Sequence, residues 1–310
     1  MSEWIGTALA SVRPGFSIES STRPAEGNRK ETAIVTLESG ERLVLQRSVD
    51  PDALATATRL CREIDARTSI PVPSILESGL IEGHGYRVVE WIDGENLHER
   101  FLSLPDGDRR RIARRFGSAL AELHRAFEFD RFGPVAATDR GLRATGPTSF
   151  GAWLDRYVEA GIDALPGTFA DLEEPIRVAV GSSRTRSPTP RLFPWDLRPG
   201  NAVVDGGEIA AFLDWGEPLS ASAGVGLAKL DHLVADWYLD DRTELRGAIR
   251  EGYRGVRSVP AVGRGERVAA ILEAAVDSEG ALTRPGYPER TGSEAVRFHR
   301  ERLRSALESR

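Results

Sequence analysis

An α+β fold in two unequal parts, a small antiparallel sheet followed by a larger and mostly helical region, is what the sequence predicts. Three observations carry this. Between residues 16 and 47 short alternating or apolar runs are broken by a polar loop and then by a Glu38-Ser39-Gly40-Glu41 turn, the punctuation of an antiparallel sheet. Beyond residue 106 most segments repeat apolar residues at helical spacing. A chain of 310 residues is also long enough for two lobes, each with its own core.

Residues 2–12 read as a short helix ahead of Pro14-Gly15. Residues 16–20, 33–37 and 42–47 read as strands, with 22–31 (TRPAEGNRKE) as the polar loop between the first two. Asp50-Pro51 opens a helix over 52–68, in which Leu54, Ala57, Leu60, Cys61 and Ile64 recur at helical spacing. The Ile70-Pro71-Val72-Pro73 step ends that helix and begins an extended segment. Residues 86–92 (YRVVEWI) form an apolar, buried strand ahead of Asp93-Gly94. The longest amphipathic stripe, Ile112, Phe116, Ala119, Leu120, Leu123 and Phe127, predicts a helix over 106–127. Its arginines read as a solvated face and His124 as a packed histidine. Helices follow at 148–162, 168–180, 225–239, 243–256, 265–276 and 293–307, with a polar linker at 182–190.

Composition narrows the function. A net charge of −6 gives no reason to expect nucleic acid or an anionic membrane as partner. The single cysteine, Cys61, precludes an internal disulfide and favours a reducing, cytoplasmic setting. No Cys/His spacing suits zinc, no apolar run approaches a membrane span, and the N-terminus lacks the pattern of a secretion signal. Of the 41 basic residues only Lys30 and Lys229 are lysines.

The most informative stretch is 191–218, RLFPWDLRPGNAVVDGGEIAAFLDWGEP. Asp205-Gly206-Gly207 between two short apolar runs signals a β-hairpin. One end of it carries Asp196 and, five residues on, Asn201, one of three asparagines in the chain. The other end carries Asp214-Trp215-Gly216. Two carboxylates and an amide oxygen converging there are hard oxygen donors suited to Mg²⁺ bound to substrate phosphates. In phosphoryl transfer one Asp orients the attacking hydroxyl, while Asn and the second Asp hold the metal. The alternative is a surface hairpin whose Asp and Asn only make turns.

This arrangement resembles the catalytic and metal-binding loops of the aminoglycoside phosphotransferase/choline kinase family, relatives of the protein kinases, which usually read His-Gly-Asp-x-x-x-x-Asn and then Ile-Asp-Trp/Phe. Here Pro194 and Trp195 stand in place of the His and Gly. The resemblance covers about residues 15–250. It implies a protein-kinase-like fold, with residues 1–92 as nucleotide-binding lobe and 93–310 as catalytic and acceptor-binding lobe. It implies ATP and Mg²⁺, with Asp196 as base, Asn201 and Asp214 as metal ligands, and a small-molecule alcohol as acceptor. Gly27, Asn28 and Arg29 match its phosphate-covering loop, though an ordinary surface loop reads the same way. Residues 86–94 match its hinge, so that Glu90 and Ile92 meet adenine with backbone groups.

The chain also departs from the family. The third strand usually carries a phosphate-contacting lysine, and Gln46 stands there, with Arg47 on the opposite face. Ala57 falls near the Glu that usually holds that lysine, and Gly226-Leu227-Ala228 replaces Asp-Leu-Ala. The phosphates then need another cation. Lys30 and Arg29, at the entrance to the second strand, are the candidates, as in a group of protein kinases whose lysine comes from the neighbouring strand. Two functions remain, an active small-molecule kinase or a catalytically silent nucleotide- or metabolite-binding protein; a protein kinase fits less well, because nothing after Asp214 resembles an activation loop or Ala-Pro-Glu. The acceptor and the oligomeric state are not readable. Asp231, Asp236 and Asp240 are candidates for a cationic acceptor, or simply solvated helix residues.

Overall fold

A computed structural model describes residues 3–24, 30–183, 186–238, 243–276, 280, 282 and 291–308. Strands β1 (Ile18–Thr22), β2 (Glu31–Leu37), β3 (Arg42–Ser48), β4 (Ile75–Ile81) and β5 (His84–Glu90) form one antiparallel sheet in the order β1-β2-β3-β5-β4. Successive side chains alternate between its faces. Ala33, Val35, Leu43, Leu45 and Val88 face helix α1 (Glu3–Val12) and pack on its Trp4, Ile5, Ala8 and Leu9. Helix α2 (Pro51–Arg67) begins where Asp50 caps it, its side chain accepting from the Ala53 amide at 2.9 Å, and packs against β4 and β5. A side chain at Gly85 would lie 2.9 Å from Pro51 Cα, so β5 passes directly under the start of α2. β4 is a regular strand where the sequence predicts only an extended segment.

The chain leaves the sheet at Glu90 and enters the second lobe through Gly94. Gly94 has φ +136°, and a Cβ there would meet Val203 Cγ1 at 2.6 Å, so glycine is required where the connector crosses the hairpin. β6 (Glu95–Asn96) pairs with β10 (Ala202–Asp205), which pairs with β11 (Glu208–Phe212), so the connector is stitched to the predicted hairpin. Short helix α3 (Leu97–Arg100) follows.

Helix α4 (Asp106–Ala126) is the axis of the second lobe, its apolar stripe buried as expected. It packs on α8 (Thr243–Arg254) at very close range: a Cβ on Gly117 would overlap the Ile249 carbonyl oxygen, and one on Gly252 the Arg114 carbonyl oxygen. Around this pair lie α5 (Phe150–Ala164), α6 (Ala170–Gly181), α7 (Ala223–Leu230), α9 (Arg264–Leu272) and α10 (Gly292–Glu308). A small sheet not foreseen from the sequence, β8 (Gly141–Ala144), β7 (Gly133–Thr138), β12 (Leu219–Ala221) and β9 (Arg191–Phe193) in that order, frames the base of the hairpin. The single helix expected over 225–239 is instead α7 followed by a π-helical turn, Asp231–Asp236, all six of whose residues are buried. π-helical turns of this kind occur mostly as single-turn insertions and often at functional sites.

Candidate active site

The loop between β9 and β10 holds Asp196 by a closed set of bonds. Asn201 Nδ2 donates to Asp196 Oδ2 at 2.8 Å and to the Asp196 carbonyl at 3.0 Å. Arg198 Nε lies 2.8 Å from Asp196 Oδ1. The Leu213 amide donates to the Asn201 carbonyl at 2.7 Å, and Asn96 Nδ2 to the Gly200 carbonyl at 3.2 Å. The amide nitrogen of Asn201 is thus committed to Asp196, and its oxygen is the atom left for a ligand. Both described asparagines serve this one loop.

Across the same crevice, Asp214 sits two residues beyond β11 with φ +51°. Non-glycine residues in this left-handed region are uncommon, and Asp is among the enriched exceptions. Lys30 Nζ donates to Asp214 Oδ1 at 2.8 Å, bridging the entrance of β2 to the hairpin. Desolvation opposes the charge on Asp214. Lys30, Arg87 and the Gly216 amide outweigh it, so the carboxyl is held below its ordinary range. An ionised carboxylate at this crevice, with the Asn201 amide oxygen left unbonded in the neighbouring loop, offers the donor types a hard divalent cation takes. Among the described residues no three His, Cys, Asp or Glu side chains converge on a metal site, so such an ion would depend on Asn201, Asp214 and phosphate oxygens.

Of the predicted nucleotide residues, Gly27, Asn28 and Arg29 lie outside the described residues. Lys30 is in the cleft. Gln46 is on β3 opposite Arg87, whose Nε donates to Gln46 Oε1 at 2.7 Å. Ala57 is buried in α2 and Glu63 pairs outward with Arg59 and Arg67, so no carboxylate from α2 reaches into this region. In the connector the Glu90 amide donates to the Ser74 carbonyl at 3.1 Å. The backbone groups of Ile92 have no hydrogen-bond partner among the described residues. Trp91 turns outward, its ring under the Arg42 guanidinium at 3.8 Å.

Behind Asp196 the structure holds residues whose place in the site was not foreseen. Trp195 Nε1 donates to the Tyr157 hydroxyl at 3.2 Å, and the buried Lys229 Nζ lies 4.4 Å from the Trp195 ring centroid without a hydrogen bond. Burial lowers the Lys229 pKa and raises that of Glu273 beside it, each charge partly supporting the other. Both lysines of the chain therefore lie at this crevice, a coincidence in an arginine-biased sequence that could have flagged Lys229. The space of the missing Asp near Gly226 is filled by His124: a Cβ on Gly226 would lie 2.9 Å from His124 Nε2.

Asp231 and Asp236 are neither solvated nor open to an acceptor. Both are buried, paired bidentately with Arg250 and Arg246 at 2.6–2.9 Å. Burial pushes the Asp231 carboxyl up to about 6 against the pull of Arg250. Asp240 lies outside the described residues.

A two-lobed fold with an Asp–Asn loop facing a second Asp across a cleft defines a phosphoryl-transfer class. The profile of the phosphotransferase enzyme family matches residues 21–267, and the chain belongs to that family. Its fold is that of solved aminoglycoside phosphotransferases. A thermostable mutant of aminoglycoside phosphotransferase APH(4)-Ia, in ternary complex with AMP-PNP and hygromycin B, superposes with a TM-score of 0.67 at 14% identity, over 99% of this chain and 98% of that one. The GDP and kanamycin complex of APH(2")-IIIa superposes with a TM-score of 0.64 at 17% identity, over 98% and 99%. No curated protein sequence matches the chain significantly. Among the described residues, no helix is long and apolar enough to cross a membrane.

Proposed function

We propose that the chain is a small-molecule kinase that transfers the γ-phosphate of ATP to an alcohol, residues 1–92 holding the nucleotide and 93–310 the catalytic groups and the acceptor. The observation that carries this is the pairing of Asp196 with Asn201 on one side of a crevice whose other side presents Asp214 bound to Lys30. The acceptor oxygen attacks the γ-phosphorus as its proton passes to the Asp196 carboxylate. The bond from phosphorus to the bridging oxygen breaks, and ADP leaves. Asn201 and Arg198 fix the Asp196 carboxylate for that proton. Magnesium, held by the Asn201 amide oxygen and Asp214, would supply the charge that steadies the phosphates. Ile92 offers its backbone groups to adenine, whereas the Glu90 amide is already bonded to the Ser74 carbonyl.

Loss of the strand lysine favours a silent protein. Against that stand a fully built Asp196 loop and an Asp214 carboxylate presented to the same crevice, neither of which a silent protein needs. Since Asp231 and Asp236 are already neutralised, a cationic acceptor is not singled out. ADP release with ATP or GTP over a panel of neutral and cationic alcohols, aminoglycosides included, tests the proposal. Phosphorylation of any member that Asp196→Asn abolishes supports it. Nucleotide binding without turnover on the whole panel speaks for the silent alternative.

A further inference from the structure

Arg87 is the one buried arginine among the described residues, 6% exposed. It stands on β5 next to Val88, which faces α1, so it points to the opposite side of the sheet, where α2 and the cleft lie. Its one hydrogen-bond partner among the described residues is Gln46, and no carboxylate there lies within ion-pair distance of it. The other buried acid–arginine contacts are all made: Glu122 with Arg115, Asp231 with Arg250, Asp236 with Arg246, and Glu266 with Arg186. An uncompensated buried guanidinium is costly. Cys61, its neighbour on α2, is no counter-ion, because burial pushes that thiol up to about 11. The anion that Arg87 does feel is Asp214, across the cleft.

We propose that Arg87 is a phosphate-binding cation of this site, carried on β5 and aimed by Gln46 on β3, its guanidinium engaging phosphate oxygens of the bound nucleotide. This rests on the kinase reading above. It explains why position 46 is an amide: its carbonyl oxygen accepts from Arg87, whereas a lysine there would set a second cation against the first. The charge has moved one strand over, and Gln46 is its positioning residue rather than an empty place.

The test is calorimetric titration of the full chain with ATP–Mg²⁺ and, separately, adenosine, which shares the base but lacks phosphates. Arg87→Gln, which retains a donor for Gln46, should weaken ATP at least about tenfold, in line with loss of a charge-assisted contact. It should leave adenosine within about twofold, and the melting temperature without nucleotide should be unchanged or higher, since an uncompensated charge is gone. The exchange Arg87→Gln with Gln46→Lys should recover most of the ATP affinity. Wild-type ATP affinity in Arg87→Gln overturns the proposal while leaving the kinase reading intact. Equal loss of ATP and adenosine with a lower melting temperature also overturns it, because Arg87 is then structural. An exchange variant no tighter than Arg87→Gln overturns the role given to Gln46. A wild-type protein that binds neither ligand overturns the kinase reading and this proposal with it.

Discussion

Lys30 Nζ and Asp214 Oδ1 are 2.8 Å apart although 184 residues separate them in sequence. The contact ties the entrance of β2 to the end of the hairpin. A divalent cation held by Asp214 would compete with Lys30 for that carboxylate and would leave the ammonium group available to phosphate oxygens.

Lys30→Ala should therefore weaken ATP by about tenfold, the equivalent of about 1.5 kcal/mol for a charge-assisted contact. Fluorescence or calorimetric titration measures this. A change under about threefold would show that Lys30 neutralises Asp214 and does not serve the nucleotide.

Asp196→Asn should keep the fold and ATP affinity but lower turnover by about a hundredfold or more, the usual range for loss of a general base. Asp214→Ala should instead abolish the magnesium dependence of nucleotide binding. If both variants lose binding equally and keep residual turnover, the roles assigned to the two carboxylates are wrong.

Lys229 and Tyr157 clamp Trp195, the residue directly before Asp196. A desolvated cation–ring contact contributes about 2 kcal/mol, so Lys229→Met should loosen the loop and lower kcat by about tenfold or more while ATP affinity stays constant. Because the change strands Glu273, the pair Lys229→Met with Glu273→Gln is the control for stability. Equal kcat in wild type and in both variants would remove Lys229 from the site.

His124 is fully buried, its Nδ1 2.8 Å from the Tyr253 hydroxyl, and burial together with Arg257 and Arg191 lowers its pKa to about 3. The unfolded chain takes up this proton below about pH 6.5, whereas the folded protein resists until about 3. The unfolded state binds more protons in that window. The contribution is complete above it and is lost as pH falls, by up to about 1.4 kcal/mol per pH unit. Denaturant titrations of wild type and His124→Gln should show their stability difference shifting toward the variant across that window. Parallel curves would mean that His124 is not the proton-resisting group.

Much of this was legible because burial follows periodicity. The first helix, strands β2, β3 and β5, the start of α2 at Asp50-Pro51 and the α4 stripe all lie where alternation, helical spacing or a helix-start signal puts them. β4 was missed because no residue of ILESGLI is buried, Gly79 and Leu80 being exposed and the rest half-buried, so it lacks clean alternation. The β7–β8 hairpin was missed because its first strand carries Pro134 and small residues. The π turn after α7 lies within a continuous apolar run, where a change of helical pitch leaves no trace in composition. Asp196, Asn201 and Asp214 could be read from their spacing around a hairpin. Arg87 could not, since its meaning depends on its pairing with Gln46; a basic residue inside the largely apolar run YRVVEWI was the one available sign. Asp231 and Asp236 misled because a helix position alone does not reveal the arginines that face it from α8.

The most direct test of the central claim avoids the unknown acceptor by letting water take its place. Purified protein with saturating ATP and Mg²⁺ should release ADP slowly but measurably above the uncatalysed background. Asp196→Asn should lose that release while still binding ATP. A wild-type protein that binds ATP–Mg²⁺ yet releases no ADP above background, or an Asp196→Asn variant that releases it at the wild-type rate, would contradict the account.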